Sequence, residues 1–352
     1  MRMVCAIAFW LFSFSYLFFF QSDILAAGQH VLSKGQTHYN AFIGAVLITL
    51  TLYLLQRVVA HFTKLEKRAH ALTYFPSLLV LTIITDVSSE IDRGFSFGGW
   101  LVAVPLLVAA FVGVAWALRK IEPFEPEPLT YGLTSRNTWI NLLTRVVMFL
   151  LVGIFSNGDE TFHHRMRMEK LIAQGKYDEA LKVGRKSLKT DPSLVMLRAH
   201  ALVRKGWLGE RFFDFPIYNP EYSLLPDGEN VRTVLLPDSV VTDLAKTPRA
   251  KVDYMLMRYL LDRDLRSFAG LVGRIYPDSL MPKHYAEALW LYKYRSEKPV
   301  ERDVDNVIET DYYDFLQMEK QYDRSVAPNF LRRTFGNTYW YYYKYGRRSE
   351  SN

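Results

Sequence analysis

The chain has 352 residues, half of them hydrophobic, with 43 Lys and Arg against 36 Asp and Glu and a single cysteine, Cys5. One cysteine excludes an internal disulfide framework and any multi-cysteine metal site. The net charge of +7 does not argue for nucleic acid, because the basic residues after Phe155 are interleaved with nearly as many acids and form no long single-sign run.

Apolar stretches dominate the first 156 residues, at about 4–20, 41–60, 71–87, 99–118 and 139–155. A helix needs about 20 residues to cross the hydrocarbon core. Backbone polar groups cannot be left bare in lipid, so such runs are expected as helices. Arg2 before the first run resembles the start of a signal peptide. Leu25, Ala26 and Ala27 make a poor cleavage site, however, so the segment is expected to stay as a helix. Arg57, Lys64, Lys67 and Arg68 cluster around the second loop, and Arg119, Lys120 and Arg136 around the fourth. The first and third loops have only Lys34 and Arg93. Positive loops favour the cytoplasm. Five spans then put the N-terminus inside and the C-terminal domain outside the cytoplasm.

The first exported loop contains Asp23, His30 and His38. Polytopic glycosyltransferases that use lipid-linked donors place a catalytic carboxylate in such a loop, which makes these three the catalytic candidates. Gly28, Gly35 and Asn40 equally suit an ordinary turn-rich connection. Asp86, Glu90 and Asp92 in the third loop would complete an exported polar pool. Arg145 falls within the fifth run and is expected to snorkel toward the cytoplasmic interface. Residues 121–128, with three prolines among acids, read as an extended linker.

After Ser156 the pattern turns to amphipathic helices. A helix from His164, the Gln174–Leu181 stretch and a second helix ending before Asp191–Pro192 make a helix pair. Gly175 permits its turn. Asp178 and Glu179 suit the positive end of the second helix. Ala180 is expected to face the first helix closely, with Tyr177, Leu181 and Leu188 supplying bulk. The pair resembles a tetratricopeptide repeat through Gly175, Tyr177, Ala180 and Pro192. It departs from that pattern at His164, Met168 and Gly184. A second pair is expected at 252–262 and 267–276, and a further helix at 282–294. The proline-rich stretch 215–248 reads as either a binding loop or a packed excursion with a short helix after Asp238.

The run 335–345 is rich in tyrosine, and Tyr339, Trp340 and Tyr341 are the binding candidates, with internal docking as the alternative. This ending, the Leu32–Asn40 loop and the layout of spans and tail resemble an uncharacterised family of multi-pass membrane proteins from the Bacteroidetes. The resemblance implies the inner membrane of a Gram-negative cell and no assigned activity.

The expected fold is therefore all-α: a five-helix transmembrane domain, residues 1–156, followed by a degenerate TPR-like α-helical soluble domain, residues 157–352. No phosphate loop, metal-ligand spacing or nucleophile motif is present, so neither cofactor nor metal is expected. His163 and His164 are adjacent and so diverge on a helix. The expected partners are the lipid bilayer and a protein bound by the helical tail, whose repeat pairs build extended surfaces; nucleic acid is not among them. The alternative is an enzyme of envelope glycan or lipid-linked sugar metabolism.

Overall fold

The computed structural model describes residues 2–94, 96–121, 135–218, 224–296 and 306–346. Among these no strand occurs. The chain divides into two compact units, Met1–Asp159 and Glu160–Asn352.

In the first unit, α1 (Arg2–Ser15) continues as a π-helical turn, Tyr16–Phe20. Then come α2 (Ser22–Leu32), α3 (Ala41–Thr63), a 3₁₀ turn (His70–Tyr74) running into α4 (Phe75–Thr85), α5 (Trp100–Ile121) and α6 (Arg136–Phe155). Among the described residues, four segments are long and apolar enough to cross a membrane: Arg2–Phe20, Ala41–Thr63, Trp100–Ile121 and Arg136–Phe155. The expected span at 71–87 is instead the shorter apolar helix His70–Thr85. Its α-helical part begins where Pro76 occupies the first turn, a position that needs no N–H.

Side-chain pairs set the order of ends. Arg2 bonds Glu66 at 2.6 Å, Trp10 meets Tyr53 and Phe14 meets Phe42, so α1 and α3 are antiparallel. Ser77 donates to the Leu52 carbonyl at 2.7 Å, and Gln56 donates to Thr73 at 2.9 Å. Asn141, early in α6, accepts from the Ala71 amide at 2.6 Å. Asn157, just past α6, donates its amide to the Thr85 carbonyl at 3.1 Å. The segment containing α4 therefore runs parallel to α6, from one end of the bundle to the other.

Two expectations about this unit change. The segment after the first span is not a turn-rich loop but the helix α2, whose Ile24, Ala26, Ala27 and Gly28 are buried. Arg145 does not snorkel. It is 1 % exposed, donates to the Cys5 carbonyl, and lies 4.1 Å over the Tyr74 ring. Tyr74, aligned by the 3₁₀ turn, supplies a π-face that attracts the cation. The 121–128 linker falls almost wholly outside the described residues.

In the second unit, α7 (Glu160–Ala173) turns at Gly175 (φ +71°) into α8, which holds only Tyr177–Ala180. The expected second helix stops there. Gly184 takes φ +59°, and a Cβ on it would lie 2.6 Å from His164 Nδ1. The histidine of α7 thus occupies the space that a large apolar residue of a regular repeat would fill, and the left-handed backbone breaks the helix. Ala180 is fully buried as expected, but Leu188 is 64 % exposed and adds nothing to the buried stripe.

Next is α9 (Pro192–Lys205), capped by Asp191, which accepts from the Leu194 amide at 2.6 Å. Every residue from Ser193 to Leu202 is buried, so α9 is the central helix of this unit. Then follow α10 (Leu208–Arg211), α11 (Asp238–Ala245), α12 (Pro248–Leu261), α13 (Leu265–Ile275), α14 (Lys283–Arg295), α15 (Asn306–Lys320), α16 (Ala327–Phe335) and α17 (Tyr339–Tyr345). Gly209 lets the Tyr285 ring approach α10; a Cβ there would lie 2.6 Å from the ring.

The described part of the proline-rich stretch is packed. Leu224, Val231 and Leu236 are buried, and Glu169 of α7 accepts from the amides of Val234, Leu235 and Leu236 at 2.8, 2.6 and 3.1 Å.

Candidate functional site

The tyrosine-rich segment is a docked helix. Tyr339 and Trp340 are buried, and Tyr341 donates its hydroxyl to the Pro328 carbonyl at 2.9 Å. The Tyr339 and Tyr342 hydroxyls donate to the carbonyls of Leu260 and Leu261 at 3.1 and 3.0 Å. Those carbonyls lie at the end of α12, where the helix no longer supplies regular partners, and that of Leu260 also accepts from the Arg263 amide at 3.1 Å. Glu287 of α14 accepts from the Tyr339 amide at 2.7 Å and bonds His284 at 3.0 Å, which fixes the start of α17. Tyr339 and Trp340 therefore take part in internal packing, the docking alternative for this segment.

The catalytic candidates are spread along one helix and beyond it. Asp23 lies in the first turn of α2 and His30 in its last, while His38 is exposed past its end. His30 packs over the Gly35 backbone. Asp86 accepts from the Trp100 indole at 2.8 Å, and Glu90 pairs with Arg93 at 3.4 Å. Among the described residues no group of three or more His, Cys, Asp or Glu is placed to hold a metal ion.

What the fold of the second unit does build is a groove of about 1090 Å³. One wall is the stretch after α8, with Arg185, Leu188 and Lys189; the floor is Phe213–Tyr218; the other wall is α16 and α17, with Arg332, Arg333 and Tyr345. Arg185, Lys189, Arg332 and Arg333 are all exposed. Among the described residues of the lining, Asp214 is the one carboxylate, and Arg211 holds it at 3.3 Å. Lys189 has Glu160 at 3.6 Å. Arg185, Arg332 and Arg333 meet no carboxylate among the described residues.

A fifth cation stands behind the lining. Arg198 of α9 is 1 % exposed. It donates to the Thr190 hydroxyl at 3.2 Å and lies 5.2 Å from the Phe215 ring, and both of those residues line the groove. Its Nε and second terminal nitrogen have no hydrogen-bond partner among the described residues. Burial lowers its pKa only to about 10, so the guanidinium stays charged at neutral pH. In a low-dielectric wall that charge is weakly screened, and it raises the potential of the groove.

Sequence reading passed over these residues, since the basic residues of the tail looked evenly balanced by acids. Arg185 and Arg332 are some 150 positions apart, and only the fold brings them to one groove. The adjacent pair Arg332–Arg333 was the one local sign.

The molecule is thus an all-helical protein with a set of membrane-length apolar helices and a helical unit that holds a cationic groove. It belongs to a family of unknown function, DUF6057, whose model matches residues 95–244 and 240–346. No curated protein and no solved structure matches the chain significantly.

Proposed function

We propose that this is an integral membrane protein of a bacterial inner membrane whose TPR-like tail, in the periplasm, binds an extended acidic segment of a partner protein. The observation that carries the reading is the groove of the second unit. Three of its cations have no acid partner among the described residues, and a buried arginine stands behind its floor. A chain bearing Asp and Glu among apolar residues would satisfy both the charge and the aromatic lining. Helix pairs such as α7–α8 and α12–α13 present surfaces of this type.

Export of the tail requires an odd number of crossings. Counting the shorter segment His70–Thr85 as a span gives five. In its favour, that segment begins beside Asn141 and ends beside Asn157, at opposite ends of α6. The end with Arg2, Lys64, Lys67 and Arg136 would face the cytoplasm. The envelope-enzyme alternative would need Asp23, His30 and His38 to converge on a substrate, and no observation favours it.

A photo-crosslinking amino acid at position 188, in the groove wall, tests the reading in cells. A discrete protein adduct is expected, lost in Arg332→Glu/Arg333→Glu and weakened by salt. An adduct that survives the charge reversal, or one with lipid-linked sugar, would reject it. A phosphatase fused to the C-terminus should be active; inactivity would overturn the topology.

A further inference from the structure

The first unit contains a crevice of about 790 Å³ between α5 and α6, floored by α4. It exists because α5 is held mainly at its two ends. At one end the Trp100 indole bonds Asp86. At the other, Ala115 and Leu118 pack with Leu65 and Ala69. Between these anchors the small Ala103 and Leu107 face Met148, Leu151 and Val152 across open space, with Phe75 and Leu78 beneath. The crevice follows α4 from Asp86 to Phe75, roughly 16 Å at the rise of an α-helix.

Its two ends differ in chemistry. Below the mouth the lining is apolar apart from Thr82, whose hydroxyl is taken up by the Leu78 carbonyl at 2.9 Å. The mouth is polar, with Asp86, Ser88, Ser89, Ser96 and Asn157 in its lining. That gradient matches an amphiphile: chain inward, headgroup at the rim. The mouth also has a sign. Asp86 lies in the mouth itself, and the sequence of its loop, 86–99, adds Glu90 and Asp92 with one base, Arg93, which pairs with Glu90 at 3.4 Å. Carboxylates in excess repel a purely anionic headgroup and attract an ammonium, while serine hydroxyls can donate to a phosphate.

We infer that this crevice is a binding site for one phospholipid with an amine-bearing headgroup, its acyl chain lying between α5 and α6. The inference rests on the membrane reading of the first unit. The apolar wall desolvates the chain, the serines hold the phosphate and Asp86 holds the ammonium.

Native mass spectrometry of the full chain in detergent, after lipid exchange, tests this. Phosphatidylethanolamine or phosphatidylglycerol with the same acyl chains is offered. One retained phosphatidylethanolamine per chain is expected, preferred by about fivefold. Ala103→Trp, which fills the crevice, should abolish retention, and Asp86→Asn should erase the preference. Leu107→Phe is the milder filling variant if Ala103→Trp does not fold, as judged by circular dichroism. Retention unchanged by either filled crevice would place the lipid elsewhere and overturn the site. Equal retention of the two lipids by the parent would overturn the headgroup assignment. A dimer of the parent that Ala103→Trp converts to monomer would show that a second copy occupies the crevice. Release of the chain from membranes by alkaline carbonate would instead reject the membrane reading itself, which separates the two failures.

Discussion

Two buried carboxylates hold distant regions of the tail by one device, and they differ in what they are set against. Glu169 pins the stretch at 234–236 by accepting from three successive amides, with Arg165 3.6 Å away. Glu287 pins α17 by accepting from the amide of Tyr339, with His284 at 3.0 Å. The first ties down a loop with little helix of its own. The second seats a helix whose aromatic side chains then fill the core. In both, one side chain replaces the regular contacts that a repeat array would supply from its next member.

The largest effect should come from Glu287→Ala. It leaves the Tyr339 amide and the His284 ring without their acceptor in a buried place, costing about 3 kcal/mol. Thermal unfolding should fall accordingly, and limited proteolysis should release the segment after Phe335. If the segment stays protected, the aromatic packing alone seats α17 and the likeness to Glu169 fails.

Ala180→Leu is next. Ala180 is fully buried among Met168, Ile172 and α9, so a larger side chain should cost on the order of 1–3 kcal/mol. Lys182→Leu, at an exposed position, should cost much less. Equal melting temperatures for the two would remove the repeat-like packing of α7 and α8.

Glu169 should make the tail sensitive to pH. Burial raises its pKa to about 7 from an ordinary 4.5, although Arg165 and the three amides pull the other way. The folded state then holds a proton that the unfolded chain releases, between about pH 4.5 and 7. Its contribution to stability is therefore greatest below that window, declines as pH rises through it and is flat above it. Hydrogen exchange at Val234–Leu236, corrected for intrinsic rate, should show less protection at pH 7.5 than at pH 5. Glu169→Gln should remove the difference; a slope that persists would assign it to another group.

The smallest effect on stability should be that of Arg332→Glu/Arg333→Glu. Both residues are exposed, and the change should stay within about 0.5 kcal/mol per site while groove binding is lost. A large loss of stability would mean that these arginines serve the fold instead.

The helices were legible because their signals are local: apolar runs in the first unit, and Gly175 and Pro192 as punctuation in the second. What escaped depended on partners far away in the chain. Gly184 was visible as a departure from the repeat, but its cause, His164 leaning across it, needs three dimensions. Arg145 looked close enough to its helix start to reach water, yet Tyr74 and the Cys5 carbonyl receive it inside the bundle. The tyrosine run announced itself by composition, and composition alone could not say that its hydroxyls would close the end of α12. The groove was the least legible feature, since its walls come from opposite ends of the tail.

The segment His70–Thr85 has a wider consequence. Opening with a 3₁₀ turn, it reaches roughly 26 Å in sixteen residues, because that winding rises about 2.0 Å per residue against 1.5 Å for an α-helix. Six of the eleven residues of α4 are buried. A helix so enclosed is covered by its neighbours over most of its surface. If the first unit spans a bilayer as proposed, the rule that matches apolar length to bilayer thickness governs the perimeter of the bundle and relaxes at its centre, where a shorter segment would suffice.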